Sequence, residues 1–308
     1  MPETDERPIE LRVPPSATGA SSLRLTGARE FFIGRMLVEG GLAAYEPEVF
    51  AMITALLEAR GGRGHFVDIG ANIGLFSLVQ RARFGAELSV TAFEPMPAMA
   101  AWIQDQAALN RLTIDVRRVA VSDVDGTASF YVSRRSDTSN SLNPSFRAHK
   151  DVLEVETIRL DTAVAAGLEP PDVLKIDVES FEPSVLAGAR ATLARHRPPV
   201  VCEVLAERTD RQITAFFDEL GYLAFPIKPD LDWAPQSVVT GDSTYQHRDW
   251  LFLPGPPAPE LGTRFLHWFA EFSACQAPPQ APPPSPRPKK LVERVRARVE
   301  RTLKRVRG

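Results

Sequence analysis

Between residues 61 and 255, short apolar runs alternate with stretches in which apolar residues recur every three or four positions. The first run, Phe66-Val67-Asp68-Ile69, meets a glycine-bearing turn, Gly70-Ala71-Asn72-Ile73-Gly74, and passes into an amphipathic helix. Leu88–Phe93 repeats the pattern and predicts a second strand, followed by a helix from about Pro97 to Asn110. Ile114–Val121 reads as a third strand. Two short alternating strands follow, Thr127–Ser133 and about Val155–Leu160, flanking a polar segment from Arg134 to Lys150. Loops of that length in compact domains tend to be lids or binding loops. Val173–Glu179 predicts the fourth strand, Pro183 to about Arg195 a helix, Pro199–Leu205 the fifth strand and Thr209–Leu220 another helix. Gly221–Ile227 and Trp250–Leu253 are expected to pair as a terminal hairpin. This alternation predicts an α/β fold: a mostly parallel sheet, helices on both faces, and a C-terminal antiparallel hairpin.

The flanks follow other patterns. Residues 1–20, rich in Pro, Ser, Thr and charge, are expected to be a disordered N-terminus. Residues 21–60 read as an N-terminal helical segment: an amphipathic stretch from Ser21 to about Glu39, then a helix opened by Tyr45-Glu46-Pro47-Glu48 and running to about Ala59. Pro47 suits the first helical position and the acids suit the positive helix end. Residues 61–255 form the sheet domain, and 256–276 carry a short helix, Leu261 to Phe272, expected to dock on it. Residues 277–290 form a Pro-rich linker, with seven prolines among residues 277–288, a polyproline II spacer reaching roughly 35 Å. In residues 291–308, Val292, Val295, Val299, Thr302 and Val306 recur at helical spacing among arginines.

Charge divides along the same line. The net charge is −3, but residues 287–308 alone contribute +8, leaving an acidic body of −11. Such a body argues against nucleic acid at the core. Contact with an anionic membrane or polyanion is expected only through residues 291–307, weakly and mainly by charge; the alternative is a solvated basic helix or disorder. Two unpaired cysteines, an acidic N-terminus without an apolar leader, and no run long enough to span a bilayer predict a cytoplasmic protein, peripheral to membrane at most.

The turn after the first strand indicates a ligand. A dinucleotide fingerprint reads G-x-G-x-x-G and brings the backbone to a pyrophosphate. Here the pattern is D-x-G-x-N-x-G, and the strand ends on Asp68, whose carboxylate would repel a pyrophosphate. A phosphate-free cationic nucleoside, S-adenosylmethionine, fits better. Glu94, closing the second strand, suits two hydrogen bonds to ribose hydroxyls. The bland alternative is that Asp68 caps the first helix and Glu94 is a solvated strand end. Asp68, Glu94, Ser122, Asp123 and Asp177 all fall where ligands lie in such sheets, at strand C-termini. Strand periodicity puts Lys175, Asp177 and Glu179 on one face. Three charges in an apolar strand are costly unless paired or functional; a structural Lys175–Asp177 ion pair is the alternative. Asp177 is the candidate general base for a hydroxyl acceptor, with Lys175 or Glu179 positioning it, and His149 a weaker candidate. A divalent metal could replace the base, since hard cations favour carboxylates and Asp177, Glu179 and Glu182 are acidic neighbours, but these match no defined ligand spacing and no metal is expected.

Together these segments resemble the FkbM family of S-adenosylmethionine-dependent methyltransferases. The matching pieces are Tyr45-Glu46-Pro47-Glu48, Val67 to Gly74, Phe93-Glu94-Pro95, Ala120-Val121-Ser122-Asp123 with Gly126, and Asn140-Ser141-Leu142. Leu160-Asp161, Leu174-Lys175-Ile176-Asp177-Val178-Glu179, Gly188-Ala189 and Val201-Cys202-Glu203 complete the set. The resemblance spans roughly Tyr45 to Pro254 and implies a Rossmann-like class I methyltransferase sheet. It also implies methylation of hydroxyls on polyketides, sugars or glycans. It places Asp68, Gly70, Ala71, Asn72, Gly74 and Glu94 on the cofactor, with Ser122 and Asp123 near its adenine. One departure is Ser180, where the family usually has glycine; its side chain would narrow the acceptor site or restrict backbone approach. A nicotinamide-dependent oxidoreductase and a non-catalytic interaction module are the competing readings. The missing phosphate-binding glycine argues against the first.

Overall fold

The computed structural model describes residues 8–15, 19, 21–134, 136–244 and 246–277. Most of the expected linker and the whole basic tail therefore lie outside the described residues. Two strands, β1 (Ile9–Arg12) and β2 (Ser22–Leu25), pair antiparallel. Helices α1 (Phe32–Gly40) and α2 (Pro47–Ala59) follow, with Pro47 opening α2 as expected. The sheet domain then runs β3 (Gly64–Ile69), α3 (Leu75–Phe84), β4 (Leu88–Phe93), α4 (Pro97–Leu109) and β5 (Asp115–Arg117). Next come β6 (Ala120–Val121), β7 (Gly126–Ser133), β8 (His149–Ile158), α5 (Leu160–Ala165) and β9 (Val173–Ile176). The chain continues through α6 (Glu182–Gly188), α7 (Arg190–His196), β10 (Val200–Glu203) and α8 (Asp210–Glu219). It closes with β11 (Leu223–Pro226), β12 (Asp249–Leu253) and α9 (Pro259–Ser273).

The main sheet has the order β11-β12-β10-β9-β3-β4-β5. β10, β9, β3, β4 and β5 run parallel, while β12 is antiparallel to both β10 and β11. This is the predicted mostly parallel α/β sheet with its closing hairpin. The chain winds outward from β3 through β4 and β5, then returns to β9 on the other side, so the switch point lies between β3 and β9. Alternate strand residues feed two cores. Phe66, Val173, Val201 and Leu251 pack with α2, α3 and α9; Val67, Leu174, Val200 and Phe252 pack with α6, α7 and α8. α9 docks as expected: Phe272 is fully buried and stacks on Phe50, which stacks in turn on Phe76. Among the described residues, no helix is long and apolar enough to cross a membrane.

Several boundaries differ from the pattern-based expectation. Residues 9–12, assigned to a disordered terminus, form β1, because Leu11 and Val13 alternate inward and Leu11 pairs with Leu23. The stretch from Ser21 to Glu39 is strand then helix. The expected third strand breaks at Arg118: β5 ends the main sheet, whereas β6 pairs with β8 in a separate sheet of order β6-β8-β7. The helix expected over 183–195 divides at Ala189. Gly188 there lies so close to the Ser122 carbonyl that a β-carbon would stand 1.9 Å from its oxygen. The fourth strand stops at Ile176, three residues early.

Candidate active site

Backbone hydrogen bonds continue past the strand ends at the switch point. Gly70 and Ala71 N–H groups donate to the Phe93 carbonyl at 3.0 and 3.1 Å, Glu94 N–H to Arg117 at 3.0 Å, and Asp177 N–H to Ile69 at 3.0 Å. The turns after β3, β4 and β9 therefore meet at one edge. Gly70 holds φ +79°, and a β-carbon there would lie 1.8 Å from the Asp177 carbonyl oxygen. Only glycine lets the first turn press against the turn after β9.

One cavity opens at this edge, lined among others by Gly70, Asn72, Glu94, Asp177, Glu179 and Arg248. Because β3 sits between β4 and β9, Glu94 and Asp177 flank the glycine turn from opposite sides. Glu94 accepts the Asn72 N–H on Oε2 and the Met96 N–H on Oε1, both at 2.8 Å. Burial pushes its carboxyl up to about 8, against the pull of these two N–H bonds. Each oxygen retains acceptor capacity for a ligand hydroxyl. Asn72 is held at φ +53°, its side-chain oxygen accepting the Ile73 N–H at 2.9 Å. The apolar lining comes from Phe93, Pro95, Met99, Ala120, Val121 and Phe130.

The turn after β9 concentrates charge. Glu179 and Ser180 adopt φ +55° and +71°, a left-handed conformation that cannot continue a strand. Glu182, fully buried, ties the turn by accepting the Val178 and Ser180 N–H groups on Oε1 at 3.1 and 3.2 Å. Lys175, 2% exposed, donates to Asp177 Oδ2 at 3.0 Å and stands 4.7 Å from the Phe76 ring centroid. Burial works against its ammonium, yet Asp177, Asp68, Asp249 and Glu46 outweigh it and raise its pKa. Arg248 bridges Glu203 Oε1 at 2.5 Å and Glu46 Oε1 at 3.4 Å. Burial first, and the Asp177 charge in addition, push Glu179 up to about 8, Glu182 to about 7 and Asp249 to about 6. The same causes hold Glu46 and Glu203 well above the usual carboxylate range.

The segment from Arg134 to Lys150 folds over this edge and is bonded to both turns. The Asp137 carbonyl accepts Asn72 Nδ2 at 3.0 Å, and the Asp137 carboxylate accepts the Phe32 N–H of α1 at 3.1 Å. Ser141 Oγ donates to the Glu179 carbonyl at 2.7 Å, and Asn143 Nδ2 to Ser180 Oγ at 2.9 Å. Ser180 thus replaces the expected glycine with a side chain that reaches this segment. Asp137, Thr138, Ser139, Asn140, Leu142 and Arg147 line the cavity.

Of the residues singled out by sequence, Gly70, Asn72, Glu94, Asp177 and Glu179 line the cavity. Asp68 lies elsewhere: it is fully buried, its Oδ2 accepts the Ser77 hydroxyl of α3 at 2.7 Å, and its Oδ1 has no partner. That agrees with the helix-anchoring alternative. Ala71 is buried outside the lining, and Gly74 leaves room for Ile103, which would lie 2.7 Å from a β-carbon. Ser122 is buried and donates to the exposed Asp123 at 3.0 Å; neither lines the cavity. Lys175 stands behind Asp177, so the expected single face of Lys175, Asp177 and Glu179 ends with the strand. His149 packs edge-on against Tyr131 and is not in the lining. Sequence reasoning missed Arg147 and Arg248, and took Tyr45 and Glu203 as parts of the resemblance without a role at the site. Glu203 carries the signal that revealed Glu94, a carboxylate closing an apolar strand.

Known proteins share sequence with this chain. A 31-O-demethyl-FK506 methyltransferase, FkbM, from Streptomyces tacrolimicus is 30% identical over 39% of this chain and 57% of its own length. A 2-O-methyltransferase, NoeI, from Sinorhizobium fredii (strain NBRC 101917 / NGR234) is 32% identical over 42% of this chain and 59% of its own. The match thus spans less than two thirds of either relative. The crystal structure of a methyltransferase FkbM from Methylobacillus flagellatus KT is 17% identical with a TM-score of 0.38, covering 62% of this chain and 44% of that one. An O-methyltransferase from Bacillus cereus, in complex with SAH, is 13% identical with a TM-score of 0.39, covering 66% and 79%. Residues 68–224, half of the chain, match the methyltransferase FkbM domain. The chain belongs to the FkbM methyltransferase family.

Proposed function

We propose that this protein is an S-adenosylmethionine-dependent O-methyltransferase acting on a hydroxyl of a sugar, glycan or polyketide-type compound. The observation that carries the reading is the cavity at the β3/β9 switch point, with Glu94 on one side of the glycine turn and Asp177 with Glu179 on the other. The residues present suit the cofactor. Glu94 keeps two oxygens for vicinal ribose hydroxyls, and the apolar lining suits an adenine. Four carboxylates, Glu94, Asp137, Asp177 and Glu179, line the cavity against two arginines, Arg147 and Arg248, a setting that favours a cation over a pyrophosphate. This last point weighs against the nicotinamide reading.

Bound S-adenosylmethionine supplies an electrophilic methyl group carried on a sulfonium. Gly70, Asn72 and Glu94 would hold and orient it. Asp177, fixed by Lys175, accepts the proton of an acceptor hydroxyl. Glu179 and Arg147 line the same cavity and orient the acceptor. The names of both curated relatives specify transfer to oxygen, which supports an alcohol acceptor here.

The test is transfer of label from methyl-tritiated S-adenosylmethionine to a panel of hydroxylated sugars and polyketides. Asp177→Asn should lower kcat by about 10²- to 10⁴-fold while cofactor affinity stays unchanged. Wild-type turnover by that variant would remove Asp177 as the base. Binding of NAD in place of S-adenosylmethionine would remove the whole reading.

A further inference from the structure

The turn after β9 and the tip of β10 bring together three carboxylates that are far apart in sequence. Asp177, Glu179 and Glu203 each offer one oxygen, and these oxygens lie within 4.8 Å of one another. An independent observation accompanies the cluster. Glu203 is 2% exposed; its Oε1 is taken by Arg248, and its buried Oε2 has no hydrogen-bond partner. The neighbouring Glu182 repeats this, with Oε1 engaged by two N–H groups and Oε2 unpartnered. Buried polar atoms are almost always satisfied, so an orphaned carboxylate oxygen calls for a missing donor or cation. The bonded cations do not fill that role: Lys175 is committed to Asp177 Oδ2 and Arg248 to Glu203 Oε1 and Glu46.

The geometry points to a site for one hard divalent cation, Mg²⁺ or Mn²⁺ in class, held by Asp177, Glu179 and Glu203. All three donors are carboxylate oxygens, the set such ions select. At metal–oxygen distances of about 2.1 Å, ligand oxygens stand roughly 3 Å apart when adjacent and about 4.2 Å when opposite, separations that the three oxygens, all within 4.8 Å of one another, can meet. The sequence brought Asp177 and Glu179 together but concealed Glu203, which comes from a different strand. Asp177 and Glu179 line the cavity, so the ion would offer a Lewis-acid contact to a hydroxyl there and, with Asp177 as its ligand, would take over from that carboxylate the activation of the hydroxyl. That catalytic consequence rests on the methyl-transfer reading; the binding of the ion does not.

The experiment uses the full chain, stripped with EDTA and titrated with Mn²⁺ while free Mn²⁺ is followed by electron paramagnetic resonance. S-adenosylhomocysteine affinity is measured in parallel by calorimetry. One Mn²⁺ per chain should bind, displaced by excess Mg²⁺. Glu203→Gln and Glu179→Gln should each weaken binding at least tenfold, and Asp125→Asn, at a distant exposed acid, should not. Unchanged S-adenosylhomocysteine affinity in the variants shows that the fold is intact. Absence of bound Mn²⁺ at millimolar concentration in wild type that still binds S-adenosylhomocysteine overturns the site and leaves the methyltransferase reading standing. Equal Mn²⁺ binding by wild type and both Gln variants also overturns it. Loss of S-adenosylhomocysteine binding with Mn²⁺ binding retained overturns the methyltransferase reading alone.

Discussion

Replacing Glu94 by Gln probes the cofactor half of the site with almost no change in volume. Both carboxylate oxygens already accept a backbone N–H at 2.8 Å, so the amide must oppose one of those donors with its own NH₂. The side chain is then fixed in one of two orientations, each with a single acceptor oxygen. One ribose hydroxyl loses a charge-assisted bond in exchange for a neutral one, costing about 1 kcal/mol; the other faces a donor and loses about 2 kcal/mol. Together these give about 3 kcal/mol, or roughly a 150-fold rise in Kd. The opposed backbone N–H is present in both free and bound protein and does not enter that difference. Calorimetry with S-adenosylhomocysteine at pH 8.5 reads the effect without turnover, and circular dichroism checks the fold. A Kd within threefold of wild type in a folded variant would refute Glu94 as the ribose acceptor.

Other outcomes follow from the same geometry. The Glu94 carboxyl stands at about 8, and hydroxyl donors favour its ionised form. Cofactor affinity should therefore rise with pH, by up to about tenfold per unit below pH 8, and level off above it; calorimetry that finds a flat profile from pH 6.5 to 9 would contradict this. Gly70→Ala places a methyl 1.8 Å from the Asp177 carbonyl oxygen at a φ of +79°, and should cost about 3 kcal/mol and lower Tm by roughly 10 °C. An unchanged melting curve would mean the two turns are not in contact. Phe272→Ala removes a fully buried ring stacked on Phe50 at 5.3 Å and should destabilise by about 3–5 kcal/mol in urea unfolding. A loss under about 1 kcal/mol would show that α9 does not complete the core.

What the sequence made legible, and what it hid, divides by physical scale. The β3 and β4 runs, their terminal acids and the glycine turn are local signals, and Glu94, Asn72 and Gly70 line the cavity as expected. Strand endings were harder. Val178 continues the apolar alternation of β9, but left-handed Glu179 and Ser180 end the strand, and nothing in their side chains announces φ > 0. Asp68 carries the same local signature as Glu94 yet turns to Ser77, because side-chain direction at a strand tip depends on the helix that follows. β6 left the main sheet because β8, decades of residues later, offered a partner. Tyr45, Arg147, Glu203 and Arg248 enter the site through tertiary placement, with Arg248 supplied by the closing hairpin to Glu203 on the neighbouring strand. Such pairings are long-range and leave no periodic trace.

The central claim is that the Glu94 and Asp177 turns hold a sulfonium-bearing nucleoside between them. The most direct measurement is a crystal structure of the full chain with S-adenosylhomocysteine. It should show the ribose hydroxyls within hydrogen-bond distance of Glu94 and the sulfur facing the side of the cavity formed by Asp177 and Glu179. Density for the ligand outside this cavity, or a ribose turned away from Glu94, would contradict the account.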